Sequence, residues 1–137
     1  MRKIGEREID DIALGAALLG AGGGGDPYIG RLIALNAVKD CGPVTLMDPD
    51  EVPDDAFIVP IAMMGAPTVL CEKAINGGEY RTLAKMVESY FGRKIFAFMP
   101  IEAGGVNSML PSPRRQDSAC PWSTWTAWDA PFRSCRW

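Results

Sequence analysis

Two carboxylates in this chain stand beside glycine-rich turns, and they are the side chains best suited to chemistry. Asp26 follows the run Gly22-Gly23-Gly24-Gly25, and Glu102 precedes Gly104-Gly105 and Asn107. A carboxylate can move a proton or accept a hydrogen bond from a ring N–H, and an asparagine amide can hold a carbonyl. Backbone amides of a glycine run before a helix can cradle an anion or a polarised carbonyl oxygen. Gly65-Ala66-Pro67 follows an apolar run that reads as a strand, and ligands of open α/β sheets bind at such carboxyl ends. Glu102 and Asp26 are therefore the candidate catalytic residues. The candidate substrate-binding positions are Gly22, Gly23, Gly24, Gly25, Gly65, Ala66, Pro67, Gly104, Gly105 and Asn107. Each also has a purely structural reading. The glycine run can be a connector between helices, Asp26 and Asn107 can be helix caps, and Pro67 can open a helix after a tight turn. The run is not G-x-x-x-x-G-K-[ST] and follows a helix rather than a strand, which excludes the P-loop and dinucleotide-binding readings.

Other chemistries are removed by composition. The chain has no histidine, so imidazole bases, Ser-His and Cys-His nucleophile pairs and imidazole metal ligands are absent. Cys41, Cys71, Cys120 and Cys135 form no C-x-x-C pair and read as isolated thiols. No metal site is assigned, and the cofactor is left open. Up to Leu110, 10 Lys/Arg stand against 15 Asp/Glu, an acidic balance that argues against a nucleic-acid partner. No apolar stretch approaches the ~20 residues of a membrane span, and the start MRKIGEREIDD lacks the apolar stretch of an export signal. A cytoplasmic location without membrane contact is the expectation.

Positioning these residues falls to alternating helices and strands. Ile9, Ile12, Ala13, Ala16 and Leu19 predict a helix over 6–19, with acidic residues in its first half. Asp26-Pro27 reads as N-cap and first residue of a second helix, burying Tyr28, Ile29, Leu32 and Ile33 and ending near Cys41-Gly42. Strands are predicted at Val44–Met47, from Phe57 to Ala62 and from Lys94 to Pro100. Helices are predicted from Pro67 and over Glu79–Phe91, the latter through Leu83, Met86, Val87 and Tyr90, with Asn76-Gly77-Gly78 as a loop. Gly104-Gly105 should open a further helix. The pattern is that of an α/β fold: a mostly parallel sheet with flanking helices, here an incomplete domain with an irregular C-terminal tail.

That tail differs in kind. Residues 1–111 read as a partial N-terminal α/β domain, whereas 112–137 hold all four tryptophans, four arginines and no helical or alternating period. A shifted reading of possible codons forces Asp at Trp125-Thr126 and Gly at Trp128-Asp129. It allows F-A-A-A-A-G-L-G-L-P-L-V-D-V-D-G-M-G-R-A-F-P-E-L-Q-M from 112 onward, which continues the helix–strand rhythm. A frameshifted, truncated and disordered tail is the expectation.

The stretches GAGGGGDPYIGR from Gly20 to Arg31, MMGAPTV from Met63 to Val69 and PIEAGGVNSMLP from Pro100 to Pro111 occur in an order that resembles the N-terminal domain of the S-methyl-thiohydantoin desulfurase family. The shifted string's D-x-D-G-M-G-R-A-F-P-E segment is similar to that family's next motif. The resemblance implies a two-domain protein more than twice this length that removes sulfur from S-methylated thiohydantoins. It implies a small hydantoin-like ring as substrate, bound between the glycine loop and the turns around Gly65 and Glu102. This chain would then be a fragment of such an enzyme, inactive as it stands. The alternative is a non-catalytic binding or regulatory subunit for a hydantoinase- or oxoprolinase-type partner.

Overall fold

The computed structural model describes residues 1–73, 78–110 and 124–126, and of 67, 70, 71, 78 and 124–126 only the backbone. Helix α1, Glu6–Gly20, starts with a short capping exchange in which the Gly5 amide donates to Glu8 Oε2 at 2.8 Å. It ends where Ala21 takes a left-handed conformation (φ 45°). Helix α2, Pro27–Cys41, opens as the sequence predicts: Asp26 Oδ1 accepts from the Tyr28 amide at 2.9 Å, and Pro27 occupies the first helical position. Arg31 Nε on α2 donates to Asp10 Oδ1 on α1 at 2.6 Å.

Strands β1 (Arg2–Ile4), β2 (Val44–Met47), β3 (Ile58–Ile61), β4 (Ala97–Pro100) and β5 (Thr124–Thr126) form a sheet in the order β1-β2-β5-β4-β3. All neighbouring pairs are parallel except β1 with β2, which is antiparallel. The expected mostly parallel α/β sheet is present, with an added antiparallel edge strand that the acidic N-terminal sequence does not signal. Within the tail expected to be irregular, Thr124-Trp125-Thr126, a β-branched and aromatic triplet, forms the strand between β2 and β4. Helices α3 (Pro67–Glu72) and α4 (Gly78–Phe91) connect β3 to β4. The helix expected at Gly104-Gly105 is a single 3₁₀ turn, Gly105–Met109. Positions 74–77, which include most of the expected Asn76-Gly77-Gly78 loop, lie outside the described residues, and Gly78 is the first residue of α4.

Two apolar cores result. The first joins Ile4, Ile9, Ala13, Ala16, Ala34, Val38, Val44 and Met109; the second joins Ile61, Ala84, Ile95 and Phe98. The buried helix faces are narrower than the periodicity suggests. Leu19, Tyr28 and Leu32 were expected inside but are exposed, and α2 buries Gly30, Ala34, Ala37 and Val38 instead. The reason is steric: a Cβ on Gly30 would stand 2.8 Å from Met109 Cε and 3.0 Å from Val106 Cα. The 3₁₀ turn thus lies directly on α2 at its smallest residue, and the larger apolar side chains are turned away. On α4 Ala84 is the buried residue, while Leu83, Met86 and Tyr90 are exposed.

Candidate functional site

Past the end of β3 the chain runs through Met63, Met64, Gly65 and Ala66 before α3. Past the end of β4 it runs through Ile101, Glu102 and Ala103 into the 3₁₀ turn. The two strands are parallel and in register, Ile61 opposite Pro100, so both loops leave the same edge of the sheet. The Ile101 amide donates to the Ile61 carbonyl at 3.1 Å, extending the ladder one step beyond the strands.

The third wall comes from the glycine loop. Gly22, Gly24 and Gly25 adopt positive φ of 93°, 74° and 86°, which glycine reaches without steric cost. The loop meets the 3₁₀ turn backbone to backbone. The Val106 amide donates to the Gly24 carbonyl at 2.8 Å, and a Cβ on Gly105 (φ 56°) would fall 2.3 Å from that carbonyl's carbon and oxygen. A Cβ on Gly104 would fall 2.9 Å from Gly20 Cα. Gly24, Gly104 and Gly105 are therefore demanded by the mutual approach of the two loops.

Between these walls lies a cavity of about 340 Å³, lined by Gly24, Gly25, Met63, Met64, Gly65, Ala66, Val69, Glu102, Val106 and Asn107. Six of the predicted positions come together here: Gly24, Gly25, Gly65, Ala66, Glu102 and Asn107. Gly22 and Gly23 are exposed outside it, Gly104 and Gly105 pack behind it, and the Pro67 backbone opens α3. Asp26 is exposed and caps α2; it is not among the lining residues. Sequence reasoning passed over Met63, Met64, Val69 and Val106 as individual wall residues. Their signal was present in the apolar residues flanking Gly65 and Gly105.

The polar centre of the cavity is Asn107, 3% exposed. Its Oδ1 accepts from the Met63 amide at 2.8 Å, and its Nδ2 donates to the Met63 carbonyl at 3.4 Å and to Glu102 Oε1 at 2.5 Å. Glu102 itself is exposed, so its carboxylate stands at the mouth with one edge fixed from below. Among the described lining residues Glu102 is the ionisable one; the others supply backbone, methyl, thioether and one amide. Such a wall favours a neutral ligand with an N–H to donate over an anion, which the carboxylate would repel. Among the described residues no group of three or more His, Cys, Asp or Glu could hold a metal ion, and no helix is long and apolar enough to cross a membrane.

A family model described as S-Me-THD-like, N-terminal domain, matches residues 7–121. No curated protein and no solved structure matches the chain.

Proposed function

The chain belongs to the S-Me-THD-like family through its N-terminal domain, and from that premise we propose that its cavity binds a small, neutral hydantoin-like ring, with Glu102 accepting a hydrogen bond from a ring N–H. The observation that carries this reading is a cavity of about 340 Å³ at two parallel strand ends whose one ionisable lining side chain, among the described residues, is Glu102. That volume is at the small end of ligand sites, suited to a five-membered ring with short substituents. The Met63 and Met64 thioethers, soft and polarisable, suit a methylthio group. In desulfurisation, water adds to the ring carbon that bears the methylthio group, and Glu102 takes the water's proton and passes it to the adjacent ring nitrogen. The remaining hydroxyl proton leaves on the sulfur as methanethiol while that carbon becomes a carbonyl. The products are hydantoin and methanethiol. Asp26, engaged in capping α2, has no part in this step.

A specific observation favours the second reading, a binding or regulatory subunit for a hydantoinase-type partner. Among the described residues the cavity wall offers one carboxylate and no second ionisable group to share the proton transfers of the reaction. Calorimetric titration of the full chain with S-methyl-thiohydantoin, hydantoin and ring-opened hydantoate tests both. Binding of the neutral rings, weakened roughly tenfold or more in Glu102→Ala through loss of a hydrogen bond to a charged group, supports the ring-binding reading. Indifference to Glu102→Ala, or preference for hydantoate, defeats it. Release of methanethiol marks the enzyme; ring binding without it marks the subunit.

The tail belongs to the same proposal. The shifted codon reading would put the strand-like L-P-L-V-D-V-D over 120–126, a span that includes the Thr124–Thr126 strand of the present chain. The family match continues to residue 121 and so weighs against a break as early as 112. Sequencing the gene across codons 108–130 decides it: an uninterrupted frame with no alternative continuing beyond codon 137 removes the frameshift.

A further inference from the structure

The sequence offers Asn107 as a carbonyl-binding residue, but the side chain's polar atoms are already committed within the protein. We infer that Asn107 is a positioning residue: it sets the Glu102 carboxylate at the cavity mouth and locks the β3 loop to the β4 loop without contacting the ligand itself. The assignment rests on the ring-binding reading of Glu102 and goes beyond it.

Chemistry fixes the orientation of the amide. The Met63 N–H can only donate, so the atom 2.8 Å from it is the acceptor Oδ1. An ionised Glu102 can only accept, so the atom 2.5 Å from it is Nδ2. The two Nδ2 hydrogens are then divided between Glu102 Oε1 and the Met63 carbonyl at 3.4 Å. At 3% exposure the amide has one lone pair of Oδ1 left and no donor left for a ligand. Its own turn is held to the glycine loop by the Val106 amide on the Gly24 carbonyl, while its side chain joins the β3 loop to Glu102. A buried, satisfied amide of this kind is costly to rearrange, because any departure strands a donor or acceptor away from water. Glu102, although exposed, is thereby kept at one place over the cavity rather than sampling solvent.

Two measurements on the full chain test the inference. In the first, without ligand, the Asn107 side-chain amide is followed by ¹⁵N–¹H correlation, its signals assigned by their loss in Asn107→Asp. Glu102→Ala should move an Asn107 Nδ2 proton upfield while the Met63 amide stays in place. An Nδ2 pair that ignores Glu102→Ala overturns the coupling. The second is a binding cycle with S-methyl-thiohydantoin across the parent, Asn107→Asp, Glu102→Ala and the double variant. Asn107→Asp keeps the acceptor for Met63 but loses the donor to Glu102, and should weaken binding roughly tenfold, matching one charge-assisted hydrogen bond. In the Glu102→Ala background it should cost nothing more, because its effect runs through Glu102. Losses that multiply instead place Asn107 on the ligand and overturn the inference. The Glu102→Ala spectrum leaves Asn107 intact, so it decides the coupling even where an Asn107 variant unfolds. If Glu102→Ala leaves binding unchanged while the Nδ2 proton moves, the ring-binding reading falls and the positioning contact stands.

Discussion

The two cores of this molecule solve the packing problem in opposite ways. Around α1, α2 and the 3₁₀ turn, backbones approach so closely that glycine is the residue that fits, and Gly20, Gly24, Gly30, Gly104 and Gly105 together make the interface. Around β3, α4 and β4, side chains fill the space: Phe98, Ile95 and Ile61 pack on Ala84, with Phe57, Val59, Tyr80 and Val87 at the margin. The cavity lies where the two meet, with one wall of bare backbone and one of methionine and valine. A glycine interface tolerates no added atom, whereas a side-chain core loses stability in proportion to what is removed.

The sharpest way to break that contrast is Gly105→Ala. The new Cβ would stand 2.3 Å from the Gly24 backbone at φ 56°, and neither partner is a side chain that could swing aside. A loss beyond about 4 kcal/mol is expected, read as failure to recover folded protein or collapse of the thermal transition. Gly22→Ala is the matched control within the same family of loops. It too has positive φ (93°), but nothing lies within 4 Å of the added Cβ. Only the backbone penalty remains, of order 1 kcal/mol. Equal losses at the two positions would mean that conformation, not close approach, dictates these glycines.

In the second core, Phe98→Ala should cost about 3–5 kcal/mol by denaturant melt, because Phe98 is 7% exposed and its removal opens a cavity among Ile61, Ala84 and Ile95. A loss below 1 kcal/mol would show that this half does not depend on side-chain filling.

The asymmetry also explains what the sequence made legible. The capped helix at Asp26-Pro27, the apolar strands and the loops at Gly65 and Glu102 carry local signals, and each is found where its residues place it. The glycine run was legible as a loop, but its reason was not. Gly24 meets Gly104 and Gly105 some eighty positions away, and no local pattern encodes that contact. The same long-range fit turned Tyr28 and Leu32 outward, since Gly30 rather than the larger apolar residues faces the 3₁₀ turn. Strand β1 was missed because Arg2-Lys3-Ile4 has one buried residue and pairs only with the distant β2. Asn107 was legible as a candidate beside Glu102; its commitment to Met63 and Glu102 depends on where the β3 loop passes.

The smallest expected effect distinguishes the two halves by pH. Glu88, on α4, has a side chain 12% exposed and accepts from the Ile95 amide and from Lys94 Nζ, each at 3.0 Å. The backbone hydrogen bond from Ile95 is the main reason that its carboxyl titrates below the ordinary value of 4.5, with Lys94 adding to it. A depressed folded-state value stabilises the protein fully above the unfolded value of 4.5 and loses that contribution as pH falls through the folded value. Glu88→Gln should therefore lower the melting temperature at neutral pH, yet flatten its decline below pH 4.5. Glu8, at the start of α1, is half-buried and depressed mainly by the Gly5 amide, with no ion-pair hydrogen bond among the described residues adding to it. Glu8→Gln should therefore alter the acid limb less than Glu88→Gln. Parallel melting-temperature curves for the parent and Glu88→Gln between pH 3 and 7 would remove Glu88 as the link between α4 and β4, leaving the apolar cluster alone to hold that half together.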